Sequence, residues 1–260
     1  MDPVTDTTVD APYELTGRVA LVTGGGAGLG RQFSFALASA GATVAVVARR
    51  RERLEAVVGE IEAHGGKAFA VPVDITETDA VTAALDTIES KFGVVDILVN
   101  NAGIPDAQYA TRMTPELVGQ VIDLNMRAPW MLSCEIARRL IEAKASGRII
   151  NISSMSAFSY GGHGAALYST TKAAVNRMTE VLAVEWARFG INVNAIAPGA
   201  FSTEMLDGMV ERMGNFSKAF PRRRFGRPDQ LDSTLLYLAS PRSDAVTGTI
   251  IKVDDAQGSR

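Results

Sequence analysis

Tyr168 and Lys172 stand four positions apart in AALYSTTKAAVNRM, residues 165–178, a run of small residues that otherwise offers little chemistry. On a helix, residues i and i+4 share a face, so the phenol and the ammonium would point the same way. A neighbouring cation favours the phenolate. At about 6 Å and an effective dielectric of about 20, Coulomb's law gives roughly 2.8 kcal/mol, or about two pKa units downward from tyrosine's ordinary value near 10. The pair is a candidate proton donor and acceptor, although the same spacing also arises on helix surfaces with no role.

A second chemical signal lies near the N-terminus. VALVT (19–23) reads as a strand, TGGGAGLGR (23–31) as a glycine loop, and the pattern from Phe33 onward as a helix. Strand, glycine loop and helix in that order present backbone N–H groups and a helix N-terminus to a phosphate. The spacing is G-x-x-x-G-x-G through Gly24, Gly28 and Gly30, without the stricter G-x-G-x-x-G, and Gly24, Gly28, Leu29 and Gly30 are the candidate contacts. The second strand ends in Ala48 and is followed at once by Arg49, Arg50 and Arg51. A free ribose 2′-hydroxyl calls for Asp or Glu there, and a 2′-phosphate calls for arginine. Arg49 therefore points to NADP(H) as the preferred cofactor, with NAD(H) as the alternative if the arginines only open a solvated helix.

The elements that must carry these groups are legible as apolar runs. VALVT (19–23), TVAVVA (43–48), KAFAVPV (67–73), VDILVN (95–100), RIINIS (148–153), INVNAIA (191–197) and TGTIIKVD (247–254) suit strands covered on both faces. Between them, Leu117, Val121, Leu124, Ala128, Leu132, Ile136 and Leu140 trace one face of a long helix. Val175, Met178, Leu182, Trp186 and Phe189 trace another. The alternation predicts an α/β, single-domain, doubly wound fold: about seven parallel strands with helices on both faces. The expected division is a loose tail over residues 1–14 and one domain over 15–260.

Bulk composition narrows the function classes. The 260 residues are 47% hydrophobic and 21% charged with a net charge of −3, which gives no electrostatic case for nucleic acid. One cysteine, Cys134, excludes a disulfide framework and multi-cysteine metal sites, reads as a buried core thiol, and fits a reducing cytoplasm. The acidic start MDPVTDTTVDAP lacks the pattern of a signal peptide. The uncharged stretch 149–171 is too rich in Ser, Gly and Asn for a membrane span. With two histidines in the chain, no Ser-His-Asp or metal cluster is expected.

Taken in order, TGGGAGLG, VDIT (73–76), NNAG (100–103), DLN (123–125), ISS (152–154), Tyr168-x-x-x-Lys172 and PGAFSTEM (198–205) resemble the short-chain dehydrogenase/reductase family, nearest its 3-oxoacyl-carrier-protein reductases and related alcohol dehydrogenases. The resemblance runs from about Gly17 to Asp254. It implies a catalytic set of Asn125, Ser154, Tyr168 and Lys172, with Ser153 as the competing serine. It also implies Asp74 and Ile75 beside the adenine, Asn101, Ala102 and Gly103 along the adenosine ribose, Tyr168 and Lys172 at the cofactor as well as the substrate, and Thr203 at the nicotinamide amide. Two positions depart from the pattern: Ala27 where NADP-preferring relatives often carry a base, and VDDAQGSR where relatives commonly end in Val-Asp-Gly-Gly. Relatives pair two long central helices across two-fold axes, so a homotetramer or homodimer is expected.

In that family the hydride comes from the nicotinamide and the proton from the tyrosine, with the serine bonding the carbonyl oxygen. Pro129 stands four residues after Asn125, so the Asn125 carbonyl loses its helical donor and should kink the helix, or else bind a water that relays protons to Lys172. At the substrate end, Met205, Met209, Met213, Phe216 and Phe220 recur at three- and four-residue steps. They form either a core-packed stripe or, within a covering segment of about 200–226, a tolerant wall for a hydrophobic ketone or alcohol. Ser154, Tyr168, Phe158, Met205 and Met209 are the candidate substrate contacts, with Tyr160 and Leu167 opposite and His163 in the nearby loop. The run PRRRFGRP (221–228) is either a solvated loop or a grip for an acidic carrier. Two readings compete with an NADP(H)-dependent ketone reductase: an NAD-dependent dehydrogenase of a sugar or other hydroxylated molecule, and a cofactor-binding regulator without catalysis.

Overall fold

A computed structural model describes residues 13–162 and 164–258 of the protein. Its strands are β1 (Val19–Thr23), β2 (Thr43–Ala48), β3 (Lys67–Pro72), β4 (Ile97–Asn100), β5 (Gly147–Ile152), β6 (Ile191–Pro198) and β7 (Ile250–Val253). They form one sheet in the order β3-β2-β1-β4-β5-β6-β7, with every pair parallel. Strand residues alternate between two apolar layers. Ala20, Val22, Ile97, Val99, Ile150 and Ile152 face one, while Val19, Leu21, Leu98, Ile149 and Val193 face the other. Both layers need covering, which is why the strands read as continuous apolar runs.

The first layer is closed by α1 (Gly28–Ser39), α2 (Arg51–Ala63) and α8 (Asp232–Ala239). The second is closed by α3 (Thr78–Phe92), α5 (Ala128–Ala143) and α6 (Ala166–Trp186). Phe33, Leu37, Leu54 and Ile61 on one side and Leu85, Ile136 and Leu140 on the other are essentially without solvent contact. Each such side chain stabilises the fold by about 1.5–3 kcal/mol. At Gly147, a Cβ would stand 2.4 Å from Leu140 Cδ1, so α5 lies directly on β5. The strand order reverses between β1 and β4, and ligands of open α/β sheets bind at such a reversal, beyond the carboxyl ends of the strands.

The boundaries depart from the sequence reading in three places. The long helix of residues 117–140 is two helices, α4 (Pro115–Ile122) and α5, joined by a π-helical turn at Asp123–Arg127. The kink expected at Pro129 is therefore absorbed one turn earlier by the wider turn, and Pro129 opens α5, where a missing N–H costs nothing. The last strand is shorter than TGTIIKVD: Gly248, with φ +75°, breaks the extended backbone, and Thr247 and Thr249 reach β6 partly through side-chain bonds with Val193 and Asn194. The stripe from Met205 to Phe220 is not one helix: α7 (Glu204–Met213) stops at Gly214, whose φ is +76°. Phe216 and Phe220 then turn away to form an aromatic triad with Phe225, with centroids 5.2–6.1 Å apart. Most of the expected N-terminal tail lies outside the described residues; Leu15, just after it, is buried and donates its N–H to the Ala40 carbonyl. Among the described residues no helix is long and apolar enough to cross a membrane.

Candidate active site

The glycine loop lies at the reversal point, between the ends of β1 and β4. Thr23 Oγ1 accepts the N–H groups of Asn101 and Ala102, each at 3.0 Å, and Asn101 Nδ2 donates back to the Thr23 carbonyl. The NNAG turn is thereby tied to the first strand. Only glycine fits at two positions of the loop. Gly24 has φ +66°, and a Cβ on Gly30 would stand 2.3 Å from the Gly24 carbonyl oxygen and 2.5 Å from Asn101 Nδ2. No side chain caps α1 and no acid stands in its first turn, so its leading N–H groups are free of intrahelical partners and present positive charge to the groove. This cradle fits a dinucleotide diphosphate. Leu29 packs under it against the first core layer. Thr203 lies across the groove, 3.4 Å from where a Gly28 Cβ would be, and its hydroxyl caps α7 by accepting the Leu206 N–H.

At the adenosine end, Arg49 is 74% exposed and its guanidinium lies 3.8 Å from Asp74. The other Asp74 oxygen accepts both the N–H and hydroxyl of Thr76, and Ile75 packs partly on the second core layer. The arginine run contains a second feature that the sequence reading missed. Arg53 Nη1 donates to both carboxylate oxygens of Glu204, at 2.8 and 2.9 Å, linking α2 to α7. Its stem lies along the glycine loop, since a Cβ on Gly26 would be 3.4 Å from Arg53 Cβ. Helical position within RRRER was the available signal, but the partner is 151 residues away.

The four residues implied by the family resemblance are brought together beyond the ends of β4 and β5. Tyr168 and Lys172 share one face of α6, with Lys172 Nζ 5.7 Å from the phenol ring centroid. The Ser154 hydroxyl hydrogen-bonds the phenol and also accepts the Ser156 N–H at 3.1 Å. Ser153 points the other way and donates to the Lys172 carbonyl at 3.2 Å, so the two competing serines are distinguished by geometry. Lys172, only 5% exposed, donates to the Ile152 carbonyl at 2.7 Å. Asn125, 1% exposed, holds the strand-like segment after NNAG: its Oδ1 accepts the Ile104 N–H and its Nδ2 donates to the Ile104 carbonyl, both at 2.9 Å. Gly103 closes the group, because a Cβ there would be 3.2 Å from Asn125 Oδ1 and 3.7 Å from Lys172 Nζ.

Electrostatics in the protein alone run against the simple Coulomb expectation. Burial pushes the Tyr168 phenol above its ordinary range; the Ser154 hydrogen bond opposes this and the Asp106 carboxylate adds to it. Burial likewise pushes Lys172 down to about 8, well below the ordinary lysine value. The amine is hydrogen-bonded to a carbonyl and almost without solvent contact, so loss of hydration outweighs the attraction estimated for a more polar medium. Asp106 itself was missed. Buried in the loop after β4, it accepts the N–H groups of Leu167 at 2.9 Å and Tyr168 at 3.2 Å, capping the very turn of α6 that carries the phenol. A cap 61 residues before its helix leaves no local signature.

Of the substrate-wall candidates, Met205 is exposed and Met209 half-buried on α7, and Phe158 is exposed with Lys252 of β7 over its ring at 4.1 Å. Tyr160 is exposed and its hydroxyl accepts the Ala165 N–H; Leu167 is half-buried beside Tyr168, and His163 lies outside the described residues. In PRRRFGRP, Arg222 and Arg224 both pair with Asp255, and Arg227 pairs with Asp229. Cys134 is half-buried rather than fully buried, and burial, with Glu185 nearby, pushes its thiol up, away from reactivity. Among the described residues no three His, Cys, Asp or Glu side chains are grouped to hold a metal. A cavity of about 850 Å³ beside Tyr13, Arg31 and Asp232 is lined by none of these site residues.

Residues 18–214 match the family model for short chain dehydrogenases, and the chain belongs to that family. It is an oxidoreductase of the short-chain dehydrogenase/reductase type, close to the 3-oxoacyl-carrier-protein reductases. A 3-oxoacyl-[acyl-carrier-protein] reductase of Synechocystis sp. is 38% identical, covering 92% of this chain and 96% of that protein. A 2-dehydro-3-deoxy-D-gluconate 5-dehydrogenase of Dickeya dadantii is 36% identical, with 93% and 96% covered. Among solved structures, a gluconate 5-dehydrogenase of Burkholderia cenocepacia in complex with NADP and tartrate superposes with a TM-score of 0.87 at 33% identity, over 94% of this chain and 96% of that one.

Two measurements test the electrostatic description. A lysine held near 8 when folded and near 10.5 when unfolded binds fewer protons in the native state between those values. The penalty is complete below about pH 8 and fades as pH rises toward 10.5. Relative to Lys172→Met, the wild type should therefore gain roughly 2–3 kcal/mol of unfolding free energy across that window, at about 1.4 kcal/mol per unit; parallel curves would refute it. Asp106→Asn keeps an acceptor for α6 but removes the charge that raises the phenol. The ultraviolet absorbance of the Tyr168 phenolate should then appear from a lower pH than in the wild type, whereas Asp106→Ala should also cost about 1 kcal/mol of stability as a lost cap.

Proposed function

We propose that the protein is an NADP(H)-dependent ketone reductase, reversible as an alcohol dehydrogenase, acting on a hydrophobic ketone or 3-oxoacyl-type carbonyl. The observation that carries this reading is the half-buried phenol of Tyr168, bonded to Ser154 and one helical turn from a buried amine. When bound, the nicotinamide cofactor supplies or takes the hydride. The protein's residues handle the oxygen and its proton. Ser154 donates to the carbonyl oxygen as negative charge develops there. Tyr168 delivers its proton to the same oxygen, and Lys172 restrains the phenolate that remains and binds ribose. A phenol held high when neutral is a guarded acid that releases its proton only to a strong base such as a nascent alkoxide.

Asn125 supports the path by which Tyr168 is recharged. Its carbonyl has Pro129 in place of the usual helical donor, and its amide holds the segment beside Lys172. A water on that carbonyl would complete the relay. Arg49, exposed at the end of β2 with no acid at Ala48, favours the 2′-phosphorylated cofactor; relatives solved with NADP support it. The segment about 200–226 covers the substrate, with Met205, Met209 and Phe158 as its apolar contacts. Exposed Met126, Trp130 and Met131 near or on α5, and Val184 on α6, support a homodimer or homotetramer paired through those helices, and the cytoplasmic location rests on the single cysteine of the sequence.

A second reading, oxidation of a hydroxylated sugar acid, draws on the gluconate dehydrogenases among the relatives. Loss of NADPH or NADH absorbance with ethyl acetoacetate, cyclohexanone and 5-keto-D-gluconate separates the readings. Faster turnover of the first two with NADPH is expected; preference for NADH or for the keto acid would overturn the cofactor or the substrate assignment. Tight NADPH binding without turnover would favour a regulator. Tyr168→Phe should lower kcat by about 10²–10⁴ while leaving the NADPH Kd within a few fold, and full activity in that variant would overturn the mechanism.

A further inference from the structure

After β7 the chain enters a compact turn whose hydrogen bonds converge on Asp254. Its buried carboxylate accepts the N–H groups of Ala256 at 3.2 Å and Gly258 at 2.9 Å, and its carbonyl accepts the Gln257 N–H at 2.8 Å. The two residues at the crest, Asp255 and Ala256, have φ of +52° and +61°. Side chains other than glycine are strained there. A strained conformation kept without glycine calls for a compensating interaction.

That interaction is with the covering segment. Asp255 forms an ion pair with Arg222 Nε at 3.1 Å and accepts from Arg224 Nε at 2.7 Å, and these guanidiniums hold its carboxyl below the usual carboxylate range. Two residues on, the Gln257 amide binds Ala200 on both sides, its Oε1 accepting the Ala200 N–H at 2.5 Å and its Nε2 donating to the Ala200 carbonyl at 3.2 Å. A Cβ on Gly199 would stand 2.4 Å from Gln257 Oε1, so the backbone passes directly under the amide. Ala200 and Gly226 are themselves joined, the Gly226 N–H donating to the Ala200 carbonyl at 2.9 Å. Both feet of the 200–226 segment therefore stand on one five-residue turn.

We infer that the C-terminal turn Asp254–Gly258 is a clasp that sets the position of the covering segment, with Asp255 and Gln257 as positioning residues for substrate. Thr203 at the mouth of the groove is three residues from the clasped Ala200, so the setting reaches the site directly.

Hydrogen exchange of the full chain tests this without any substrate. Asp255→Gly relieves the left-handed backbone while removing the carboxylate, so the Tm should stay within about 2 °C of wild type. Amides in 200–226 should nevertheless exchange about 10-fold faster, in Asp255→Gly and in Gln257→Ala alike. Asp255→Asn, which keeps the side-chain volume without the charge, should loosen the 216–226 foot more than the 200 foot. Unchanged exchange across 200–226 in both Asp255→Gly and Gln257→Ala would overturn the inference. The kinetic arm rests on the ketone reductase reading: with ethyl acetoacetate, Asp255→Gly should raise KM about 5-fold with kcat and the NADPH Kd within about 2-fold. A lowered kcat at constant KM would also overturn it. Absence of wild-type turnover on ethyl acetoacetate would count against the reductase reading alone, because the exchange result decides the clasp by itself.

Discussion

A hydrogen bond from the buried Lys172 amine to the carbonyl of Ile152 ties the helix that carries Tyr168 to the end of the strand that leads into Ser154. It fixes α6 against the end of β5 at the level of the reacting groups. The cost is burial of an amine that water would hydrate far better, and it shows in the lowered affinity of Lys172 for its proton. No apolar contact could replace it, because the carbonyl at the end of the strand would then be left without a donor. Around this bond, Tyr168, Asn125 and Lys172 are each held by a separate device.

Those devices share a design. Asp106 takes the first free N–H groups of α6, Asn125 imitates a strand partner for Ile104, and Ser153 closes on the Lys172 carbonyl. All are buried polar side chains spending their hydrogen bonds on backbone, which defines position more narrowly than side-chain pairs do. The consequence is electrostatic: partial burial raises the affinity of Tyr168 for its proton, and full burial lowers that of Lys172.

Much of the fold was readable because buried parallel strands leave an unmistakable record, and all seven were located to within a few residues. The site was readable where chemistry requires adjacent residues: the glycine loop, the NNAG turn and the Tyr168–Lys172 turn are each local. What escaped was long-range or a matter of sign. Asp106, Arg53 and Asp255 act on partners 61, 151 and 31 residues away, and a lone charge gives no hint of its partner. The π turn at Asp123–Arg127 hid behind a proline that explained a bend equally well. The phenol's direction of shift was misjudged because a pairwise attraction can be written from sequence, whereas desolvation requires knowing what surrounds the group.

The covering segment connects these themes. At its start, Glu204 of α7 is gripped by Arg53, which also lies along the glycine loop; at its feet, the turn after β7 holds Ala200, Arg222 and Arg224. Between these holds, Met205 and Met213 are exposed and Met209 is half-buried on a helix that ends at a glycine. The two holds also differ in kind. The Arg53 bridge is exposed and will be screened by salt, whereas the Gln257 amide is a neutral backbone mimic that salt does not touch. The hold on Ala200 therefore persists at ionic strengths that loosen the hold on Glu204, so the two ends of the segment answer differently to salt.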